Sequence, residues 1–587
     1  MENTSKISDS GGVIRKKGGV WTMPFIISNE TFEKVGSLGL QSNMIIYLIR
    51  EYHMSVVSGA TLLFLWSAMS NFTTIIGAFL ADSYLGRYRV IAFGTILSLL
   101  GTIDLWLTAI IPGARPPPCK LFIEECSTPT TGQLTLLCAS FLLMAMGAGC
   151  VRPCSLAFGA DQFNNPDNPE NQRILQSFFN WYYASVGISI MIAATVIVYI
   201  QEAVGWIVGF AVPVGLLLSS AILFLLGSSL YVREKANKNL FAGFAQVASA
   251  AWKKRHLALP PIISDGLYYH KGSDRLIAPT QKLSSLNKAC IITNPETDLD
   301  CDGTAKEPWK LCTVKQVEEL KALIKVLPVW SCGIITAVSI SQYSFPVLQA
   351  SSMDRQIYGG VTIPAGSFSV FALLTLTIWV VFYDGVLVPL ISKFTKNKQG
   401  IPVKQRIALG MAISCMAMAV SALVETKRRN TAIREGLGEK SGGIVSMSAM
   451  WLVPQNVLIG LAEALNAIGQ IEFYYTQFPK SMSSIGMALL SLGMGIGDLL
   501  GSLIVSVMDG LSKRDGKDSW VSSDINKGRY DYYYWVICFL SFLNFFYYLA
   551  CSWTNGSLGD NRVHDESEFL SLEDENDMLE ASRSPTL

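Results

Sequence analysis

Twelve apolar runs of about 20 residues each, separated by polar connections, constrain this chain more than any other feature of its sequence. A helix of that length matches the hydrocarbon thickness of a bilayer, and it satisfies every backbone N–H and C=O within itself. Six runs fall between residues 23 and 230 and six between 318 and 552. The interval 231–317 carries Lys253-Lys254-Arg255, scattered prolines and a Ser/Asp/Asn-rich stretch, and cannot span a membrane. The expectation is an all-α membrane protein with twelve transmembrane helices as two six-helix bundles. Its parts are a segment 1–22, a bundle 23–230, a linker 231–317, a bundle 318–552 and an acidic tail 553–587. The fourth span is expected at 133–154 and the ninth at 404–424.

Composition agrees and narrows the function. Charged residues make up 16% of the 587, against about 25% in an average soluble domain. A net charge of +1 provides no electrostatic footprint for nucleic acid. The four histidines (His53, His256, His270 and His564) fall in connections and tail, and no His/Cys group has metal-ligand spacing. No nucleophile–base order is visible, so a membrane enzyme is not expected, and neither is a cofactor. Met1–Lys17 is polar and lacks the apolar core of a cleavable signal. Cys119 and Cys126 bracket one short external loop, where either a disulfide or two thiols is compatible with the sequence.

Orientation follows from Lys/Arg placement. Arg15-Lys16-Lys17, Arg87 with Arg89, the long linker and the 8–9 loop (Lys393, Lys396, Lys398, Lys404, Arg406) all fall on one side. Both termini are therefore expected in the cytosol of a multi-pass plasma-membrane protein. Lys427-Arg428-Arg429 and Lys513-Arg514 lie on the other side and dissent.

Against this apolar background, the first span carries Glu30, Glu33 and Lys34 within Asn29-Glu30-Thr31-Phe32-Glu33-Lys34. Each ionisable group costs about 2.5–3.5 kcal/mol at the bilayer centre on insertion scales. The i,i+3 and i,i+4 spacings put all three on one helical face, which must look into protein or water. Two close carboxylates titrate as a coupled pair and share protons, which is the chemistry of a proton-coupling site.

Two further motifs follow. Gly77-Ala78-Phe79-Leu80-Ala81-Asp82-Ser83-Tyr84-Leu85-Gly86-Arg87 joins spans 2 and 3. Its small residues (Gly77, Gly86) permit close helix approach, and Asp82 with Arg87 can fix a charged turn; a gating loop and a merely topogenic loop are the two readings. Gly147-Ala148-Gly149-Cys150-Val151-Arg152-Pro153-Cys154 closes span 4. Arg152 either snorkels to the cytosolic headgroups or meets a buried anion, for which Glu463 in span 10 is the candidate. An Arg152–Glu463 pair would be an inter-bundle ion pair. Asn180 and Tyr183 on span 5 and Gln342 and Tyr343 on span 7 suit a pocket wall or interfacial packing equally. Asp498 in span 11 sits among glycines, where helix packing is the simpler reading.

Together these motifs resemble the proton-dependent oligopeptide transporter family of the major facilitator superfamily, and specifically its plant branch, the nitrate transporter 1/peptide transporter family. The family's E-x-x-E-[RK] pattern appears as Glu30-Thr31-Phe32-Glu33-Lys34, its helix 2–3 signature at Ala81–Tyr88, its helix-4 pattern at Gly147–Cys154 and its helix-10 glutamate as Glu463. Arg115–Pro118, Trp520-Val521 and Asn526-Lys527-Gly528 are similar to the plant members, and the resemblance runs from about Gly18 to Trp553. It implies a major facilitator fold and proton-coupled symport by alternating access. Protons are then the coupling ion, and a small anion, nitrate foremost, is the substrate. A plant hormone acid, a glucosinolate-like anion, a di- or tripeptide, or a receptor role on the same fold are the alternatives. Three departures matter. Arg152 replaces the usual lysine and cannot relay protons. Peptide-carrying relatives continue the helix-1 motif with F-S-Y-Y-G, where this chain has Val35-Gly36-Ser37-Leu38-Gly39. No histidine lies on span 7, where some nitrate-carrying relatives have one near the position of Ile340.

Overall fold

The computed structural model describes residues 18–119, 126–163, 171–233, 240–259, 268–270, 279–300, 303–357, 360–395, 400–437, 442–478, 482–513 and 518–554. The long helices are α1 (Met23–Arg50), α2 (Val56–Leu80), α3 (Arg87–Ile110), α4 (Thr131–Phe163), α5 (Asn171–Ile192) and α6 (Trp206–Leu226). After the linker come α7 (Val314–Ile340), α8 (Val370–Phe382), α9 (Val403–Arg434), α10 (Val453–Gln477), α11 (Ser483–Ser512) and α12 (Tyr530–Thr554). Eleven helical spans among the described residues are long and apolar enough to cross a membrane. The twelfth long helix, α1, has the length (28 residues) but carries the Glu30/Glu33/Lys34 cluster within it. The chain forms two compact units, Met1–Met54 with Met69–Lys238, and Ser55–Ala68 with Asn239–Leu587.

The first unit is built on glycine contacts. α3 packs on α4 and α1 on α6. A Cβ on Gly147 would lie 2.4 Å from the Ser98 amide nitrogen, and one on Gly39 would lie 2.7 Å from Ile197 Cγ2. Without a strong hydrophobic force between lipid-immersed helices, such close backbone approach supplies the dispersion contact that holds them.

α4 runs nine residues past its expected end at 154, to Phe163, with Pro153 inside it. Proline removes the amide hydrogen that the Gly149 carbonyl would have accepted. That carbonyl is pressed against α2 instead: a Cβ on Gly77 would sit 2.3 Å from Gly149 O. The Cα–H groups of Gly77 are all that fits there, a contact of the weak C–H···O kind.

The second unit adds polar joints. α7 and α12 are linked by Ser339–Ser541 (2.7 Å), Asn544 Nδ2 donating to Cys332 O (2.8 Å) and Tyr533 OH donating to Gln342 Oε1 (2.8 Å). α9 continues to Arg434 rather than stopping near 424, because its polar end is satisfied inside the protein. Arg428 and Glu425 are both 0% exposed and paired at 2.8 Å. Arg429 Nε donates to Gly528 O, and Lys427 Nζ stands 3.3 Å from the centre of the Trp451 ring. The dissenting cations of the 9–10 connection are thus structural ties within this unit. A two-stranded parallel ladder, β1 (Met353–Asp354) with β2 (Val445–Ser448), lies at registers Met353↔Val445 and Asp354↔Ser448.

The linker contains a helix, Leu240–Lys253, of 14 residues, too short to span. It packs Val247, Ala250, Cys290 and Cys312 around Val314 and Val317 at the start of α7. α7 itself begins with a capping box between Thr313 and Gln316. Cys119 and Cys126 form a disulfide, with Cα atoms 5.6 Å apart.

Candidate functional site

The first unit gathers its charges on α1. Asn29, Glu30 and Glu33 are buried at 1–2% exposure, and Lys34 Nζ stands 3.6 Å from Glu30 Oε1. Asn29 anchors this face, its Nδ2 donating to Ser220 Oγ on α6 (2.8 Å) and Thr95 Oγ1 on α3 (3.2 Å). Ser155 of α4 and Tyr182 of α5 lie beside the Glu30 carboxylate. Glu30 Oε2 and both carboxylate oxygens of Glu33 accept no hydrogen bond among the described residues. Buried acceptors left without donors cost about 1–3 kcal/mol each, and more when charged. Three such oxygens are chemically able to take up protons or to accept from a cation.

The residues after the cluster close the helix rather than open it. Gly36 faces Leu217, whose Cγ and Cδ1 would lie 3.5 Å from an added Cβ, and Gly39 faces Ile197. Val35, Gly36 and Gly39 form a packing face of α1, while Ser37 and Leu38 are half-buried.

Arg152 is half-buried on α4, and its Nε has no hydrogen-bond partner among the described residues. Because α4 extends to Phe163, Arg152 lies eleven residues before the helix end, about 16 Å along the axis at 1.5 Å per residue. Glu463 is half-buried on α10 and forms no ion pair among the described residues of its own unit. Of the remaining residues, Tyr183 is exposed, while Gln342 is buried with its amide engaged to Val338 O and Tyr533 OH. Tyr343 is 46% exposed where α7 breaks before a short helix, Ser344–Ser351. The side chain of Asn180 lies outside the described residues.

The loop between α2 and α3 is a π-helical turn, Ala81–Leu85, ended by Gly86 at φ +78°. That left-handed backbone favours glycine and turns the chain sharply into α3. Arg87 Nη1 donates to both oxygens of Asp161 (2.8 and 2.7 Å), whereas its Nε lies 3.5 Å from Asp82 Oδ1. The main partner of Arg87 is therefore Asp161 on the extension of α4, and Asp82 is the more distant one. The second unit repeats the arrangement. A π-helical turn, Tyr383–Leu387, follows α8; Arg406 at the start of α9 pairs with Glu472 of α10 and lies 5.1 Å from the Tyr383 ring. Asp82 and Arg87 are five residues apart but Asp384 and Arg406 are 22 apart, so spacing alone does not reveal the repeat.

Comparison with known proteins is consistent with this geometry. The POT family profile matches residues 88–521. The chain is 51% identical over 571 residues to protein NRT1/PTR FAMILY 1.2 of Arabidopsis thaliana, covering 95% of this chain and 94% of that one. Protein NRT1/PTR FAMILY 1.1 of the same plant is also 51% identical, covering 96% and 95%. Among solved structures, an auto-inhibited POT family peptide transporter superposes with a TM-score of 0.66 at 20% identity, covering 92% of this chain and 97% of that one.

Proposed function

The chain belongs to the POT family, and from that premise we propose that it is a proton-coupled symporter carrying a small anion, nitrate foremost, by alternating access. Members of this family are multi-pass membrane transporters and not enzymes. The observation that carries the proton-coupled reading is the α1 cluster, where Glu33 is 1% exposed and neither of its oxygens accepts a hydrogen bond among the described residues. Protons entering at Glu30 and Glu33 release Lys34 from its 3.6 Å contact with Glu30, and Lys34 is then available to the anion. Arg152 and Glu463 act as the pair that forms and breaks between the bundles during the cycle. The Asp82/Arg87 turn, with Gly77 and Gly86, serves as the gating loop.

Energetics favour more than one proton. A monovalent anion entering alone against an inside-negative potential costs about 2.3 kcal/mol per 100 mV. One proton makes the cycle electroneutral, and two recruit the potential as a driving force. Glu30, Glu33 and Glu463 are the candidate carriers. The plasma membrane, with both termini cytosolic, is the proposed location.

A larger organic solute, such as a hormone acid or a dipeptide, is the rival substrate class. The exposed ring faces of Trp181 and Tyr183 favour it. Ser37 and Leu38 stand where peptide carriers have their two tyrosines, and the loss of those rings speaks for the small anion. Uptake of nitrate, a dipeptide and acidic hormones in oocytes at acid external pH, with proton currents recorded, separates the two. Glu30→Gln should abolish pH-driven uptake at unchanged surface expression. Proton-driven uptake retained in that variant refutes the assignment.

A further inference from the structure

The proton-coupling cluster lies on α1, yet a second carboxylate is buried more deeply than its surroundings explain. Asp498 on α11 is 1% exposed. Glycines beside it bring the backbones together: a Cβ on Gly497 would lie 2.6 Å from Ala337 Cβ on α7, and one on Gly501 3.0 Å from Phe64 Cε1 on α2. These contacts explain the exclusion of water. They do not explain a carboxylate, which costs about 2.5–3.5 kcal/mol at membrane depth where alanine would pack as well.

What Asp498 meets is specific. Ser67 Oγ donates to its Oδ2 at 2.7 Å, the distance of a strong O–H···O bond. α11 packs on α7 and α10, and the titratable groups within electrostatic reach of one another here are Asp498, Glu463 on α10 and the half-exposed Tyr343 just past the end of α7. Both charges that act on the Tyr343 phenol are acidic, Glu463 and Asp498. Tyr343 sits where α7 breaks, and Pro346, in the first turn of the helix that follows, has no amide hydrogen to offer the Gln342 carbonyl. Discontinuous helices at such points line the ion sites of secondary transporters, because they free backbone groups and side chains at mid-depth. A phenol can donate to one carboxylate and accept from the protonated form of another, so it can pass a proton between them.

We propose that Asp498 is a proton-binding carboxylate of the second unit, held by Ser67 and communicating through Tyr343 with Glu463. The proposal deepens the proton-coupled reading and rests on it for its role in transport, but the site can be tested without any substrate. Infrared difference spectra of the purified full-length protein, recorded between acid and alkaline buffer, report the carbonyl stretch of each carboxyl that changes protonation. Asp498→Asn should delete one carboxyl band, Asp498→Glu should restore a displaced band, and Ser67→Ala or Tyr343→Phe should displace it without deleting it. A spectrum unchanged by Asp498→Asn overturns the proposal. Proton currents in oocytes then address the transport role separately. If the unaltered protein carries no proton current with any solute while the band is lost in Asp498→Asn, the symport reading fails and the site stands.

Discussion

Arg428→Met offers a demanding test of how the second unit is held together. The guanidinium makes five hydrogen bonds: Nε and Nη2 to the Glu425 oxygens (2.9 and 2.8 Å), Nη1 to Asn526 Oδ1 (2.7 Å) and Ser352 Oγ (3.3 Å), and Nη2 to Ile525 O (2.9 Å). Glu425 is 0% exposed, and its other partner among the described hydrogen bonds is Gln349 Nε2 at 2.8 Å. Removing the cation leaves a buried carboxylate without its counter-charge, which costs about 3–5 kcal/mol. At roughly 2 °C per kcal/mol for a unit of this size, the apparent unfolding temperature should fall by about 6–10 °C. The thiols of Cys332, Cys538 and Cys551 are buried, so a maleimide dye that fluoresces on thiol reaction reports unfolding in detergent. Comparison at one scan rate is required, because such unfolding is irreversible. Arg428→Lys should fall between, since an ammonium cannot match the planar fork. The double variant Glu425→Gln/Arg428→Met should recover at least half of the loss, because no charge is then stranded. A single variant that melts within about 2 °C of the parent, or a double variant no better than the single, would refute the reasoning.

Three other outcomes are expected. Asp161→Asn should reduce uptake more than Asp82→Asn does, because Arg87 bonds both Asp161 oxygens and stands 3.5 Å from Asp82; equal effects in oocyte flux would contradict the assignment. Gly77→Ala puts a methyl carbon 2.3 Å from Gly149 O, so the helices must separate at a cost of about 1–3 kcal/mol, read as a smaller monodisperse fraction in size-exclusion chromatography. In the linker, burial pushes the Cys290 and Cys312 thiols up to about 12 and about 11, from an ordinary value of 9.0. Because the folded values are raised, these thiols contribute fully below pH 9.0, and stability is lost as pH rises from there towards 11–12. Alkylation of the two thiols, followed by mass spectrometry, should stay slow near neutrality and accelerate across that window.

The apolar runs dictated helices at membrane length because no other element but a closed barrel satisfies its backbone in lipid. The Glu30/Glu33/Lys34 face was equally legible, since three charges at helical spacing within an apolar run must share one protected side. The family motifs were readable because they are contiguous in sequence. What depended on satisfaction at a distance was not. The apolar run ends span 4 at 154, whereas α4 continues to Phe163 with the Gly149 carbonyl, freed by Pro153, packed against Gly77. Arg428 read as a loop cation, and burial with Glu425, Asn526 and Ser352 made it part of the core. Asp161 and Glu472 gave no local signal, as their arginines come from other helices. Asp498 reads in sequence as an acid among packing glycines, and only the fold sets the Ser67 hydroxyl against its carboxylate. Sequence alone determined which segments enter the membrane and which charges had to be sheltered there, since both follow from local transfer free energies. The tertiary structure decided which group shelters each charge, because that depends on helices far apart in the chain meeting at side-chain resolution.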